Sequence, residues 1–117
     1  MTFEKIRKYC LNKRGTSEDF PFGTETSVFR VGEKIFCLMW KDGKTVTMNL
    51  KCDPFTAEEL RSKYPSVQPG YHMNKRHWNT VIADGSIPEG DIQWMIDHSY
   101  TLVFDELKKS EKEKILK

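Results

Sequence analysis

Long apolar runs are missing from this chain. The longest, Ile35 to Trp40, falls far short of the about 20 residues needed to cross a bilayer. The opening residues Met1-Thr2-Phe3-Glu4-Lys5 are charged and amphipathic, without the apolar centre of an export signal, so a cytoplasmic location is expected. Cysteine is scarce. Cys10, Cys37 and Cys52 are odd in number and widely spaced, so neither a disulfide framework nor a zinc knuckle can be read from them, and burial as small hydrophobes is expected. A charge excess of one sign is also missing, since 19 Lys and Arg against 17 Asp and Glu leave +2. The isoelectric point near 8.4 lies below the value of about 9 that marks a committed nucleic-acid binder, so any polyanion binding must come from local clustering. No glycine-rich phosphate loop is present; Gly23, Gly32, Gly43, Gly70, Gly85 and Gly90 stand alone as turn or cap residues.

What remains is a 117-residue chain that fits one domain over residues 1–117, with 110–117 polar enough to fray. A monomer is expected. Phe3, Ile6, Cys10 and Leu11 recur at helical spacing between Thr2, a fitting N-cap, and Gly15, a fitting C-cap. Residues 17–23 read as a short extended segment, which Pro21 confines to an edge or strand end. Strands follow over Thr26 to Val31, Lys34 to Trp40 and Lys44 to Cys52, the last two joined by the hairpin signal Asp42-Gly43. With Asp42-Gly43 as loop residues, Trp40 faces Thr45 and Leu38 faces Thr47, while Met39 pairs with Val46 and Cys37 with Met48 on the other face. The all-apolar face is expected under helices. The mixed face carries Phe36, Leu38, Trp40, Thr47 and Asn49, can include Phe29, and is expected to be partly covered by a crossing segment.

Thr56 and Glu59 fit a capping box for a short helix, with Phe55 and Leu60 as its hydrophobic staple, and Pro65 requires that helix to end by Tyr64. Ser66 to Gly70 reads as a connector and Trp78 to Ile82 as a strand. Ser86 and Glu89 fit a second capping box, opening a long last helix through Ile92, Met95, Ile96, Ser99, Val103 and Leu107.

The densest chemistry lies in Pro69-Gly70-Tyr71-His72-Met73-Asn74-Lys75-Arg76-His77-Trp78-Asn79. Rings that stack on bases, amides that hydrogen-bond and cations that neutralise phosphate occur together there. Lys75, Arg76, His77, Asn74, Tyr71 and Trp78 are therefore the candidate nucleic-acid contacts, with Lys41 and Lys44 flanking the hairpin tip as a wing. The competing reading makes Tyr71 and Trp78 core anchors, the histidines satisfied polar groups and the lysines solvated turns. His72 and His77 are five apart, a spacing that suits neither one helix face nor one strand face, so no metal is expected from them. Asp97-His98-Ser99 holds the letters of a hydrolase triad, but consecutive helical residues diverge and cannot form the relay. Cys37 and Cys52 are expected to be buried and inert. An enzyme is not expected, and no cofactor is implied.

Laid out in order, the chain resembles the MmcQ/YjbR family of small bacterial proteins. The residues that carry the resemblance are Phe20-Pro21-Phe22-Gly23, Lys34-Ile35-Phe36, Leu50-Lys51-Cys52-Asp53, the block Pro69 to Trp78, and Ser99-Tyr100 with Leu102-Val103. The resemblance implies an α+β domain of the frataxin-like (CyaY-like) kind, an antiparallel sheet packed against N- and C-terminal helices. It also implies DNA binding, because the family has been likened to the double-wing architecture of the phage transcription factor MotA. Thr101 stands where the family often has an acidic residue, and no catalytic residues carry over. DNA is thus the expected partner. The alternative is a protein-interaction or small-ligand module using the His72 to Trp78 segment and the aromatic sheet face.

Overall fold

The computed structural model describes residues 1–117. In chain order the elements are α1 (Phe3–Leu11), β1 (Thr16–Asp19), β2 (Thr26–Val31), β3 (Lys34–Asp42), β4 (Thr45–Lys51), α2 (Pro54–Lys63), β5 (Val67–Pro69), β6 (Trp78–Ala83), α3 (Glu89–Asp105) and α4 (Lys109–Leu116). The six strands form one antiparallel sheet in the order β1-β2-β3-β4-β6-β5. Strand β1 lies at one edge, one of the two places open to the segment before Pro21. Residues 67–69, read as part of a connector, make the short opposite edge β5.

Helices α1 and α3 cover one face of the sheet. Ile6 and Cys10 of α1 meet Ile92, Met95, Ile96 and Val103 of α3 over Cys37, Met39, Val46, Met48, Leu50 and Val81, all essentially buried. That matches the face expected from alternation. The hairpin register differs from expectation by two residues: Met39 pairs with Met48, Trp40 with Thr47 and Leu38 with Asn49. Gly43 takes the left-handed conformation (φ 64°) that opens the loop, and Asp42 extends β3, its carbonyl accepting from the Thr45 hydroxyl. A shift of two leaves each side chain on its face.

Two rings expected on the mixed face belong to the core. Phe29 lies opposite Cys37 and therefore shares its face. Between Phe29 and Arg30 the register slips by one, leaving Phe36 as the extra residue of a bulge whose ring packs edge-on against Tyr100 of α3, centroids 5.5 Å apart. Ser99 serves this bulge. Its hydroxyl, fully buried, donates to the Phe36 carbonyl (2.5 Å) and accepts from the Lys51 amide (2.8 Å). Neighbouring Asp97 instead accepts from Tyr9 and pairs with Lys13, while His98 faces Asp53, so the Asp97-His98-Ser99 letters diverge toward three partners.

Helix ends depart from the sequence reading for local reasons. Thr2 caps α1 through the Lys5 amide as expected, but the helix stops at Leu11 with Asn12 as its C-cap. Gly15 (φ 71°) follows in a turn, where the Ile115 side chain occupies the space a Cβ would need. Helix α2 is capped by Asp53, whose carboxylate accepts from the Thr56 amide, with Pro54 at the first position. Thr56 therefore lies inside the helix, and Phe55 is 73% exposed rather than stapled to Leu60. Ser86 does not cap α3, because its hydroxyl is taken by Asp84 (2.6 Å) and lies beside that of Ser66. Glu89 opens α3 and pairs with Lys5 of α1. The long helix ends at Asp105; Leu107 is buried in the turn, and residues 109–116 form the separate helix α4.

Candidate nucleic-acid interface

The β5–β6 connection, residues 70–77, is the basic-aromatic block, and three devices fix it. The first is Gly70. Its amide donates to the Trp78 carbonyl (2.8 Å), and a Cβ there would lie 2.8 Å from both Trp78 Cβ and its carbonyl oxygen, so only glycine permits this approach. The second is a polar clamp on the face of the sheet away from the helices. Asn49 and Thr80 are cross-strand partners; the Thr80 hydroxyl donates to Asn49 Oδ1 (2.6 Å) and accepts from the Tyr71 amide (2.8 Å), while Asn49 Nδ2 donates to the Tyr71 carbonyl (3.0 Å). Every member of the ring is satisfied, and Asn49 and Thr80 are buried. The third is Arg61 of α2. Its guanidinium donates to the carbonyls of Lys75 and Trp78 and to Asn79 Oδ1 (2.7 Å), tying the loop to the helix.

Within that frame the candidate residues divide. Tyr71 is 60% exposed, its ring tilted on the imidazole of His72 at 4.0 Å. His72 is the one non-glycine residue in the left-handed region (φ 59°). Asn74 shapes the turn, its Oδ1 accepting from the Arg76 amide. The Lys75 ammonium bends back to the Gly70 carbonyl (3.0 Å), and Arg76 is exposed beside Pro54, Phe55, Glu58 and Arg61 around a shallow cleft of ≈ 310 Å³. Neither cation has a carboxylate within 4.0 Å. Lys5, Arg7, Lys13, Arg30, Lys34 and Lys51 are paired, whereas Lys8, Arg14, Lys44, Lys63 and the lysines of α4 are, like Lys75 and Arg76, without such a partner. His77 and Trp78 are half-buried and hold the base of the loop, the His77 carbonyl accepting from the Cys52 amide (2.8 Å). Glu106 pairs with Lys51 (2.5 Å), whose hydrogen bond holds its carboxyl below the usual range.

The hairpin lysines lie far from the base of the loop, although the loop crosses the sheet face so that Tyr71 and Lys75 share an open cleft with Trp40 and Asp42. Strand β4 runs from Thr45 at the hairpin to Lys51, the cross-strand neighbour of Trp78, so Lys44 and the loop base lie at opposite ends of β4, about 20 Å apart at 3.3 Å per residue. The loop residues are Gly43-Lys44. Lys44 is exposed, whereas Lys41, on the helix side, holds its ammonium 5.2 Å above the Phe3 ring.

The mixed sheet face is partly covered, as expected, by the segment carrying Tyr71, His72 and Met73. Between that segment, Phe22, Leu38 and Trp40 lies an open cleft of ≈ 450 Å³, floored by Asn49 and Thr26. The sequence reading missed Arg61, Asn49 and Thr80 as organisers of the loop. Pairing Asn49 with Thr80 depends on which strand docks beside β4, which periodicity leaves open.

Sheet order, helical cover and the clamped loop define a small α+β domain built to present one connection on its exposed face. A family model described as YjbR matches residues 11–102. The chain is 32% identical to the YjbR protein of Escherichia coli (strain K12), spanning 99% of this chain and 98% of that one, and 40% identical to YbdF of Escherichia coli O157:H7 over 82% and 79% of the two. The crystal structure of Deinococcus radiodurans protein DR2400, with a DUF419 domain, superposes with a TM-score of 0.91 at 36% identity, covering 97% of this chain and 87% of that one. The chain belongs to the YjbR family. No helix is long and apolar enough to cross a membrane.

Proposed function

We propose that this chain is a non-catalytic DNA-binding domain that meets the phosphate backbone through its 70–78 loop. Lys75 and Arg76 supply the charge, and Tyr71 and His72 supply exposed rings beside it. The observation that supports the reading is the combination, on one loop, of unpaired Lys75 and Arg76 with the exposed Tyr71 and His72 rings, on a backbone held by Arg61 and by the Asn49–Thr80 clamp. A charge held in place and left unneutralised is available to an anion without reorganisation. Exposed Lys44 at the hairpin tip would supply a further phosphate contact. Lys41, engaged over Phe3, is left out of the contact.

The test is fluorescence anisotropy with labelled duplex DNA and an anionic control polymer across salt concentrations. Lys75→Ala and Arg76→Ala are each expected to weaken DNA binding at every sequence and to flatten the salt slope by about one contact. Wild-type behaviour in both variants rejects the assignment. The open aromatic cleft favours a second reading, a small planar ligand or partner segment held between Tyr71, Phe22 and Trp40. Under that reading Trp40→Ala abolishes binding of the ligand, and DNA affinity is indifferent to Lys75 and Arg76.

A further inference from the structure

Behind the loop, on the helix side of the sheet, the chain gathers a second set of chemically active groups. The geometry points to a zinc-type divalent metal site formed by Cys52, Asp53 and His98, independent of the nucleic-acid reading. Cys52 and Asp53 follow β4 and lead into α2, and His98 comes from α3, where the Trp94 ring stacks on it at 4.8 Å and 13°. One donor atom from each residue lies within 4.8 Å of the others. Around a tetrahedral ion with bonds of about 2.0–2.3 Å, donor atoms stand about 3.3–3.6 Å apart. Asp53 Oδ2 and His98 Nε2 are already 3.1 Å apart, so only modest side-chain rotation is needed to close the set.

The surroundings suit an ion. His98 Nε2 and Asp53 Oδ2 face each other at 3.1 Å across a half-buried contact, a spacing that a divalent ion bound to both would keep. Asp53 Oδ1 is committed to the Thr56 amide, which orients Oδ2 as the free ligand atom. Thiolate, imidazole and carboxylate together are a donor set typical of zinc.

A separate observation points to the same place. Asn79 is 2% exposed, and its Nδ2 is the one buried side-chain polar atom without a partner. The bond from Arg61 to Oδ1 fixes the orientation of that amide, leaving Nδ2 without an acceptor where Asn79, Cys52 and His98 line one cavity of ≈ 10 Å³. That is about the room one water requires. A metal-bound water there accepts from Nδ2 and completes a four-coordinate site. Binding replaces the Cys52 S–H bond by an S–metal bond and releases that proton to solvent.

The test is titration of the reduced, metal-free full chain with Co²⁺, followed by displacement with Zn²⁺. One equivalent is expected to produce thiolate-to-cobalt charge-transfer absorption and tetrahedral visible bands, both removed by zinc. Cys52→Ser is expected to abolish the charge-transfer band, and His98→Gln to weaken binding by about tenfold or more, with folding of each checked by circular dichroism. His72→Ala with His77→Ala is expected to leave binding intact. Absence of a thiolate band in folded wild-type protein overturns the proposal, as does its survival in Cys52→Ser. If Cys52→Ser does not fold, unchanged affinity in His98→Gln overturns it equally.

Discussion

Replacing Thr80 by valine removes one hydroxyl from the sheet while keeping its shape. In the structure that hydroxyl donates to Asn49 Oδ1 at 2.6 Å and accepts from the Tyr71 amide at 2.8 Å. Asn49 and Thr80 are 3% and 6% exposed, which leaves little access for water to replace the lost partner. Two groups are orphaned, Asn49 Oδ1 and the Tyr71 amide, at about 1–3 kcal/mol each, or about 2–6 kcal/mol together. Against an overall stability of about 6–17 kcal/mol for a chain of this size, that is a large fraction. At a urea slope of about 2 kcal/mol per molar, the midpoint should fall by about 1–3 M at unchanged slope. Thr80→Ser keeps the hydroxyl and should lose much less. Amide exchange at Tyr71 should accelerate in the valine variant alone. A midpoint shift below about 0.3 M with Tyr71 still protected would refute the clamp, because the loop would then be held by other contacts.

Gly70→Ala places a methyl 2.8 Å from the Trp78 carbonyl, backbone that cannot swing aside, and should cost about 1–3 kcal/mol, read as a lower thermal midpoint; a wild-type midpoint would mean the loop relaxes freely. Asp84 accepts from the Ser86 hydroxyl and amide and from Ser66, which together hold its pKa down at about 2 against 3.8 unfolded. A depressed carboxyl contributes stability that is full above pH 3.8 and is lost as pH falls toward 2, so Asp84→Asn should flatten the loss of thermal stability in that window. An acid profile identical to wild type would show that Asp84 gains nothing from folding.

Much of the scaffold was legible from residue order. Alternation in Cys37, Met39, Val46, Met48 and Leu50 named the buried face, and Pro21 limited the segment before it to an edge or strand end, where β1 stops at Asp19. The bulge at Phe36 was not legible, since it is stabilised by Ser99, 63 positions away, which satisfies the carbonyl the bulge exposes. Capping was read three residues late at α2 because Thr56 and Glu59 form a tempting box, while Asp53 followed by Pro54 is the stronger local arrangement. At the candidate site, residue types announced the loop, yet what holds it came from α2, β4 and β6. The Cys52, Asp53 and His98 cluster was invisible for the same reason: a strand end and a helix meet only after the chain has folded.

The proposed DNA contact is made by the 70–78 loop. Amide chemical-shift mapping with a short duplex at near-physiological salt tests it most directly. Shifts concentrated at Tyr71 to Trp78 and at Arg61, fading as salt rises, are expected. Shifts confined to Phe22, Leu38 and Trp40, or spread evenly over surface lysines, would contradict it.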